Sequence, residues 1–186
     1  MMLELCQLPY ERHTVDITRQ EHRRPEFLHL NPAGAIPTLV DQDGPGGKPF
    51  VLSQSAAICL YLANKTGRFL PANEPHRSIA LQWFMHAISD VGTLAASLFR
   101  AQACGDSESS TASAFRERLA AHLRLADGRL SGRPYLADEL SVADIALYPI
   151  LLSATVTPIF SALPDLGHLR RWQASLAARP EIARGM

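Results

Sequence analysis

Apolar and polar positions change their rhythm once along the chain, near residue 76. Upstream, short β-branched runs with a two-residue period predict strands: "HTVDI" (13–17), "IPTLV" (36–40) and "PFVL" (49–52). "PGG" between the last two supplies a hairpin-type turn. "RPEFLHL" (24–30) reads as a short helical turn opened by proline, and "SAAICLYLANKTG" (55–67) as a helix stopped by Gly67. Downstream the strand signals cease. Four apolar patterns of helical period cover 76–101, 112–131, 141–156 and 165–178, separated by a Ser-rich loop, "GRPYLADEL" and "TPIFSALP". The change of period predicts two units: a small α/β unit over 1–72 and an all-helical unit over 76–186.

Within the helical unit, "LSVADIALYP" places Ser141 and Asp144 in the S-x-x-D spacing of a capping box. Such a cap holds a helix start together and carries no chemistry. The biased stretches "DQDGPGGKP" (41–49) and "GDSESSTAS" (105–113) are short and read as surface loops, and no internal repeat is present.

Composition narrows the function classes. Eighteen basic side chains balance eighteen acidic ones, so no electrostatic case exists for nucleic acid or an anionic membrane. No apolar run approaches the ~20 residues of a membrane span, and the start lacks the basic and apolar regions of a secretory signal, so a cytoplasmic protein is expected. Cys6, Cys59 and Cys104 are odd in number and widely spaced, with no CxxC or Cys/His cluster. They suggest neither a disulfide framework nor a metal site. Asn64-Lys65-Thr66 matches a glycosylation sequon, read as coincidence without a secretory signal.

The candidate chemistry lies in the α/β unit. Pro37, which cannot donate to a sheet ladder, opens an apolar run and marks a junction. A trans bond there simply begins a strand. A cis Ile36-Pro37 bond turns the Ile36 backbone outward, leaving its N–H and C=O free for a peptide-like ligand. Gln54 and Ser55 stand at a strand-to-helix junction. Ser55 is an ordinary N-cap on one reading. On the other, its amide and hydroxyl receive a carboxylate at the helix N-terminus while Gln54 holds a neighbouring amine, which suits an amino-acid head group.

"NPAGAIPTLVD", "LSQSAAICLYLA" and "LSVADIALYP", in this order and spacing, resemble the soluble glutathione transferases, and among them the bacterial theta-like and nu-like groups. The resemblance runs from "LPYERHTVDI" to "LRRWQASLAARPEI". It implies an α+β fold, with a thioredoxin-like domain, here partial, followed by an all-α helical bundle. It also implies glutathione as co-substrate, with no further cofactor and no metal, and a homodimer. The expected activity is conjugation of the glutathione thiol to small electrophiles. Alternatives are reduction of disulfides with glutathione, or a non-catalytic glutathione-binding module.

Carried over residue by residue, the resemblance sets the cysteinyl backbone of glutathione against Ile36 and Pro37, and its γ-glutamyl end against Gln54 and Ser55. His22 falls where relatives meet the glycyl carboxylate, although a histidine in the basic run "RQEHRR" is ordinarily just solvated. Asp90 resembles the acid that some members extend across the dimer interface, the plain alternative being a solvated helix position. Arg100 and Tyr148 are candidates for the second-substrate pocket, with core or surface roles as their alternatives.

The chain departs from the family at its start. "MMLELCQLPYERHTVDI" corresponds to the end of the first helix and the second strand, so the first strand, the turn with its sulfur-facing residue and most of the first helix are expected upstream of Met1. That leaves the catalytic residue unassigned. A free thiol of pKa ~8.5 is only about 3% thiolate at pH 7, and lowering that pKa is what a transferase contributes. Cys6 is the one substitute at hand, but its apolar helical face reads as a buried, inert thiol.

Overall fold

The computed structural model describes residues 1–186. A short helix α1 (Met2–Cys6) is followed by α2 (Pro25–Leu30), the hairpin β1 (Thr38–Asp41) and β2 (Phe50–Ser53), and α3 (Ser55–Thr66). The helical part comprises α4 (His76–Met85), α5 (Thr93–Ala103), α6 (Ser110–Arg129), α7 (Val142–Leu151), α8 (Val156–Ser161), α9 (Gly167–Ala177) and α10 (Pro180–Arg184). A π-helical stretch, His86–Gly92, joins α4 to α5 without a break in helical backbone. No helix is long and apolar enough to cross a membrane.

The one sheet is the antiparallel pair β1–β2, in register Thr38↔Ser53, Leu39↔Leu52, Val40↔Val51 and Asp41↔Phe50. Leu39 turns towards the core, while Val40 and Val51 lie on the outer face, as the strand period requires. Asp41 pins β1 to α3: its Oδ2 accepts hydrogen bonds from Tyr61 Oη at 2.7 Å and Lys65 Nζ at 2.6 Å. Lys65 first, then Tyr61, hold the Asp41 carboxyl below the ordinary carboxylate range. Gly67, at φ 66°, ends α3 in the left-handed conformation expected of it.

Two expectations are corrected. Residues 13–17 form no strand; they run as irregular chain into a turn, because a strand needs a partner for its backbone groups and the only sheet here is the β1–β2 pair. The helix expected over 141–156 stops at Leu151, with Pro149 in its last turn, and the chain restarts as α8 at Val156. The Ser153 hydroxyl accepts from Val156 N at 3.3 Å at this break.

The core is one continuous cluster reaching from Met2, Leu5 and Leu62 to Trp172 and Ile182. α7 is its axis, with eight of ten residues buried. The capping box is present: Asp144, fully buried, accepts from Ser141 N at 3.0 Å and Ser141 Oγ at 3.1 Å. It also accepts from Leu136 N at 3.0 Å and Trp172 Nε1 at 2.8 Å. Burial pushes this carboxyl upwards, and the four donors oppose that push. Asp144 thus joins the start of α7, the preceding loop and α9.

Candidate functional site

The register of the hairpin brings the two sequence features together. β1 is entered through Ile36-Pro37 and β2 is left through Gln54-Ser55, so both dipeptides flank the Thr38↔Ser53 pair at one end of the ribbon. Thr38 Oγ1 and Ser53 Oγ are 3.1 Å apart on that rung. The Ile36-Pro37 bond is cis. Ile36 lies outside the ladder, and neither its N–H nor its C=O takes a hydrogen bond within the chain.

Asn31 shapes the loop that presents Ile36. It is buried, and its Nδ2 donates to Ala35 O at 2.6 Å while its Oδ1 accepts from Ala33 N at 3.2 Å. Gly34, at φ 58°, lets the loop press against the turn over 21–23: a Cβ there would lie 2.8 Å from Arg23 Nη1 and 3.0 Å from the His22 carbonyl oxygen. His22 therefore belongs to this corner. Its ring is half-buried and its Nδ1 is buried without a partner, unlike a freely solvated histidine of a basic run.

At the other half of the corner Ser55 is not the N-cap. Gln54 occupies that position and Ser55 is the first helical residue, with its hydroxyl exposed and free of intrachain hydrogen bonds. The Gln54 carbonyl accepts from Ile58 N at 2.9 Å, whereas the N–H groups of Ser55, Ala56 and Ala57 have no acceptor. Gln54 has φ 74° and ψ 115°. A non-glycine residue there costs about 1–3 kcal/mol, and such strain concentrates at ligand clamps. Three unpaired amides, a free hydroxyl and an exposed carboxamide at a helix N-terminus form a receptor for a carboxylate beside an amine.

The remaining candidates lie elsewhere. Asp90 sits in the π-helical stretch, where it meets His86 and His122 rather than the hairpin: the three offer one ligand atom each within 4.8 Å of one another. Tyr148 is buried edge-on against Trp172 at 6.0 Å, as a core residue. Arg100 is exposed near the end of α5. A groove of about 360 Å³ beside it is lined by Ala95, Ala96, Phe99, Pro149, Ile150 and neighbours, none from the hairpin. Cys6 is buried, its Sγ 3.5 Å from Thr66 Oγ1. Burial pushes the Cys59 thiol up to about 11. That makes the Cys59 thiol a poor nucleophile at neutral pH.

Sequence reasoning did not single out Asn31, the strain at Gln54, or the pairing of His86 with His122. Asn31 carried a signal, since asparagine before proline favours a turn bonded by its own side chain. The other two arise from backbone geometry and from helices packed at a distance in sequence.

Two family models match the chain: the glutathione S-transferase N-terminal domain over residues 1–65 and the C-terminal domain over residues 81–180. A glutathione S-transferase domain-containing protein of Dictyostelium discoideum is 32% identical over 181 residues, 94% of this chain and 69% of the relative. The disulfide-bond oxidoreductase YfcG of Escherichia coli is 30% identical over 192 aligned residues, 100% of this chain and 87% of the relative. Among solved structures, a glutathione transferase of Burkholderia graminis with two glutathione molecules per subunit superposes with TM-score 0.88 at 34% identity, covering 99% of this chain and 80% of its own. One of Pseudomonas putida, holding one glutathione disulfide per subunit, superposes with TM-score 0.90 at 30% identity over 99% and 83%.

Proposed function

The chain belongs to the glutathione S-transferase family, and from that premise we propose that it binds glutathione at the Ile36–Ser55 corner and presents the thiol to small electrophiles. The observation that carries this reading is the pairing of unsatisfied groups at one end of the hairpin. The free Ile36 N–H and C=O match a peptide bond, and the open first turn of α3 with the Ser55 hydroxyl matches an α-carboxylate. Gln54 is set to accept the amine of the γ-glutamyl group. His22, beside the Ile36 loop, is assigned to the glycyl carboxylate. Asp90 joins this set only in a homodimer, reaching the partner's glutathione. We assign the cytoplasm as the compartment.

In the transfer step the glutathione sulfur, as thiolate, attacks an electrophilic carbon. A C–S bond forms, the bond to the leaving group breaks with its electron pair, and the thiol proton passes to solvent base. A second reading, reduction of a disulfide by glutathione, is favoured by the likeness to the E. coli disulfide-bond oxidoreductase and to the P. putida protein holding glutathione disulfide. There the thiolate attacks one sulfur of the disulfide, breaking the S–S bond and releasing one substrate thiol; a second glutathione thiolate then attacks the glutathione sulfur of the mixed disulfide, giving glutathione disulfide and the second substrate thiol.

Retention on glutathione resin with elution by free glutathione tests binding. Conjugation of a chlorodinitrobenzene and reduction of hydroxyethyl disulfide, measured side by side, separate the two chemistries. Failure to bind the resin, with no thermal stabilisation by millimolar glutathione, would overturn the proposal.

A further inference from the structure

The cluster His86, Asp90 and His122 plays no part in a single subunit's glutathione corner. His86 and Asp90 are four residues apart on the π-helical stretch and so share one face, the spacing that sets two ligands towards one ion on a helix. His122 comes from α6, which packs against that stretch. His86 Nε2 and His122 Nδ1 are 3.2 Å apart. Two imidazole nitrogens bound at ~2.0–2.1 Å to a tetrahedral ion stand about 3.3 Å apart, so the rings already hold the edge of such a coordination sphere.

Packing fixes the His86 ring in place. The ring is buried and held edge-on against Trp83 at 5.1 Å, with Nε2 the nitrogen turned to His122. A π turn is itself a rare distortion that recurs at functional sites.

We propose that His86, His122 and Asp90 form a binding site for a divalent transition-metal ion of the zinc type, with a fourth position open to water. The donor set is two imidazoles and a carboxylate, which suits zinc and its first-row neighbours rather than calcium or magnesium. The Asp90 carboxylate closes on the ion by about 1.5 Å, within the reach of a side-chain rotation, from the 4.8 Å spread of the three ligand atoms. Asp90 and His122 are half-buried, so the ion enters from solvent while His86 anchors it from below. The site goes beyond the glutathione reading and is tested without glutathione; an Asp90 that holds the ion is withdrawn from the partner's glutathione.

The test uses chelator-treated protein titrated with cobalt(II) in the absence of glutathione, in a Cys104→Ser background that removes the exposed thiol. Expected are visible bands of four-coordinate cobalt saturating at one ion per chain and displaced by zinc. His122→Gln and Asp90→Asn should each weaken the ion by ~10-fold or more, since even the partners of metal ligands are worth 10–100-fold. Both positions are half-buried, so unchanged melting without metal confirms that these variants fold. Six-coordinate cobalt spectra, binding that survives both substitutions, or no binding by folded protein would each overturn the site.

Discussion

Replacing Ser55 by alanine separates a ligand-binding hydroxyl from a capping one. The Ser55 hydroxyl is exposed and unbonded at the first position of α3, where Gln54 already serves as cap. Its loss should therefore shift stability by no more than ~0.5 kcal/mol, a surface-substitution effect, against ~1 kcal/mol for a true cap. In a chain of this size that is a change in Tm of at most about 2 °C. If the hydroxyl donates to the glutathione carboxylate, its removal costs about 1.5–3 kcal/mol, or ~10–150-fold in Kd. The two effects read out together in one thermal series. Glutathione at 100 times the wild-type Kd stabilises the fold by ~2.7 kcal/mol, and after a 100-fold loss of affinity the same concentration gives only ~0.4 kcal/mol. Calorimetric titration supplies the Kd directly. A Ser55→Ala protein with Kd within twofold of wild type and Tm lowered by about 3 °C or more would refute the assignment and restore the hydroxyl to a cap.

Asn31→Ala should weaken glutathione by about tenfold in the same titration, because it frees the loop that presents Ile36; unchanged affinity would show that the loop is held by other contacts. Asp144→Asn sets an amide donor against the Ser141 N–H, costing ~1–3 kcal/mol and lowering Tm by ~2–12 °C, with affinity per folded molecule intact. Asp41→Asn should destabilise the protein at neutral pH. The folded Asp41 carboxyl lies below its ordinary 3.8, so its contribution is present above that pH and lost as pH falls through the folded value. The wild-type and Asp41→Asn melting curves should therefore converge in acid; a gap that persists at low pH would argue for lost packing instead.

The hairpin and the end of α3 are legible because their determinants are local. Pro37 bars the ladder, the "PGG" turn sets the register, and Gly67 takes a positive φ that few residues accept. "HTVDI" has an equally good strand pattern and forms none, since a pattern of faces does not supply a hydrogen-bonding partner. The pattern over 141–156 reads as one helix because its apolar positions carry on past Leu151, while its end is set by the last turn with Pro149 and by Ser153. Ser55 looked like a cap by residue type, yet capping is decided by which backbone leaves the helical region, and that is Gln54. The histidine pair was out of reach because 36 residues separate its members, and only the packing of the π-helical stretch on α6 brings them together.

A ribbon of two strands has no interior, and that sets how the glutathione corner moves in time. Alternate amides of β1 and β2 point away from the partner strand, so half of them meet water even while the hairpin is intact. Hydrogen–deuterium exchange along the ribbon should alternate between slow and fast sites, against uniformly slow amides in α7. The open end at Thr38 and Ser53 is where such a ribbon frays first. A peptide backbone docked on Ile36 adds bonds just beyond that rung, so the ligand acts as a clasp: occupancy of the corner should slow exchange at Thr38 and Ser53 and leave the clock of the helical bundle unchanged.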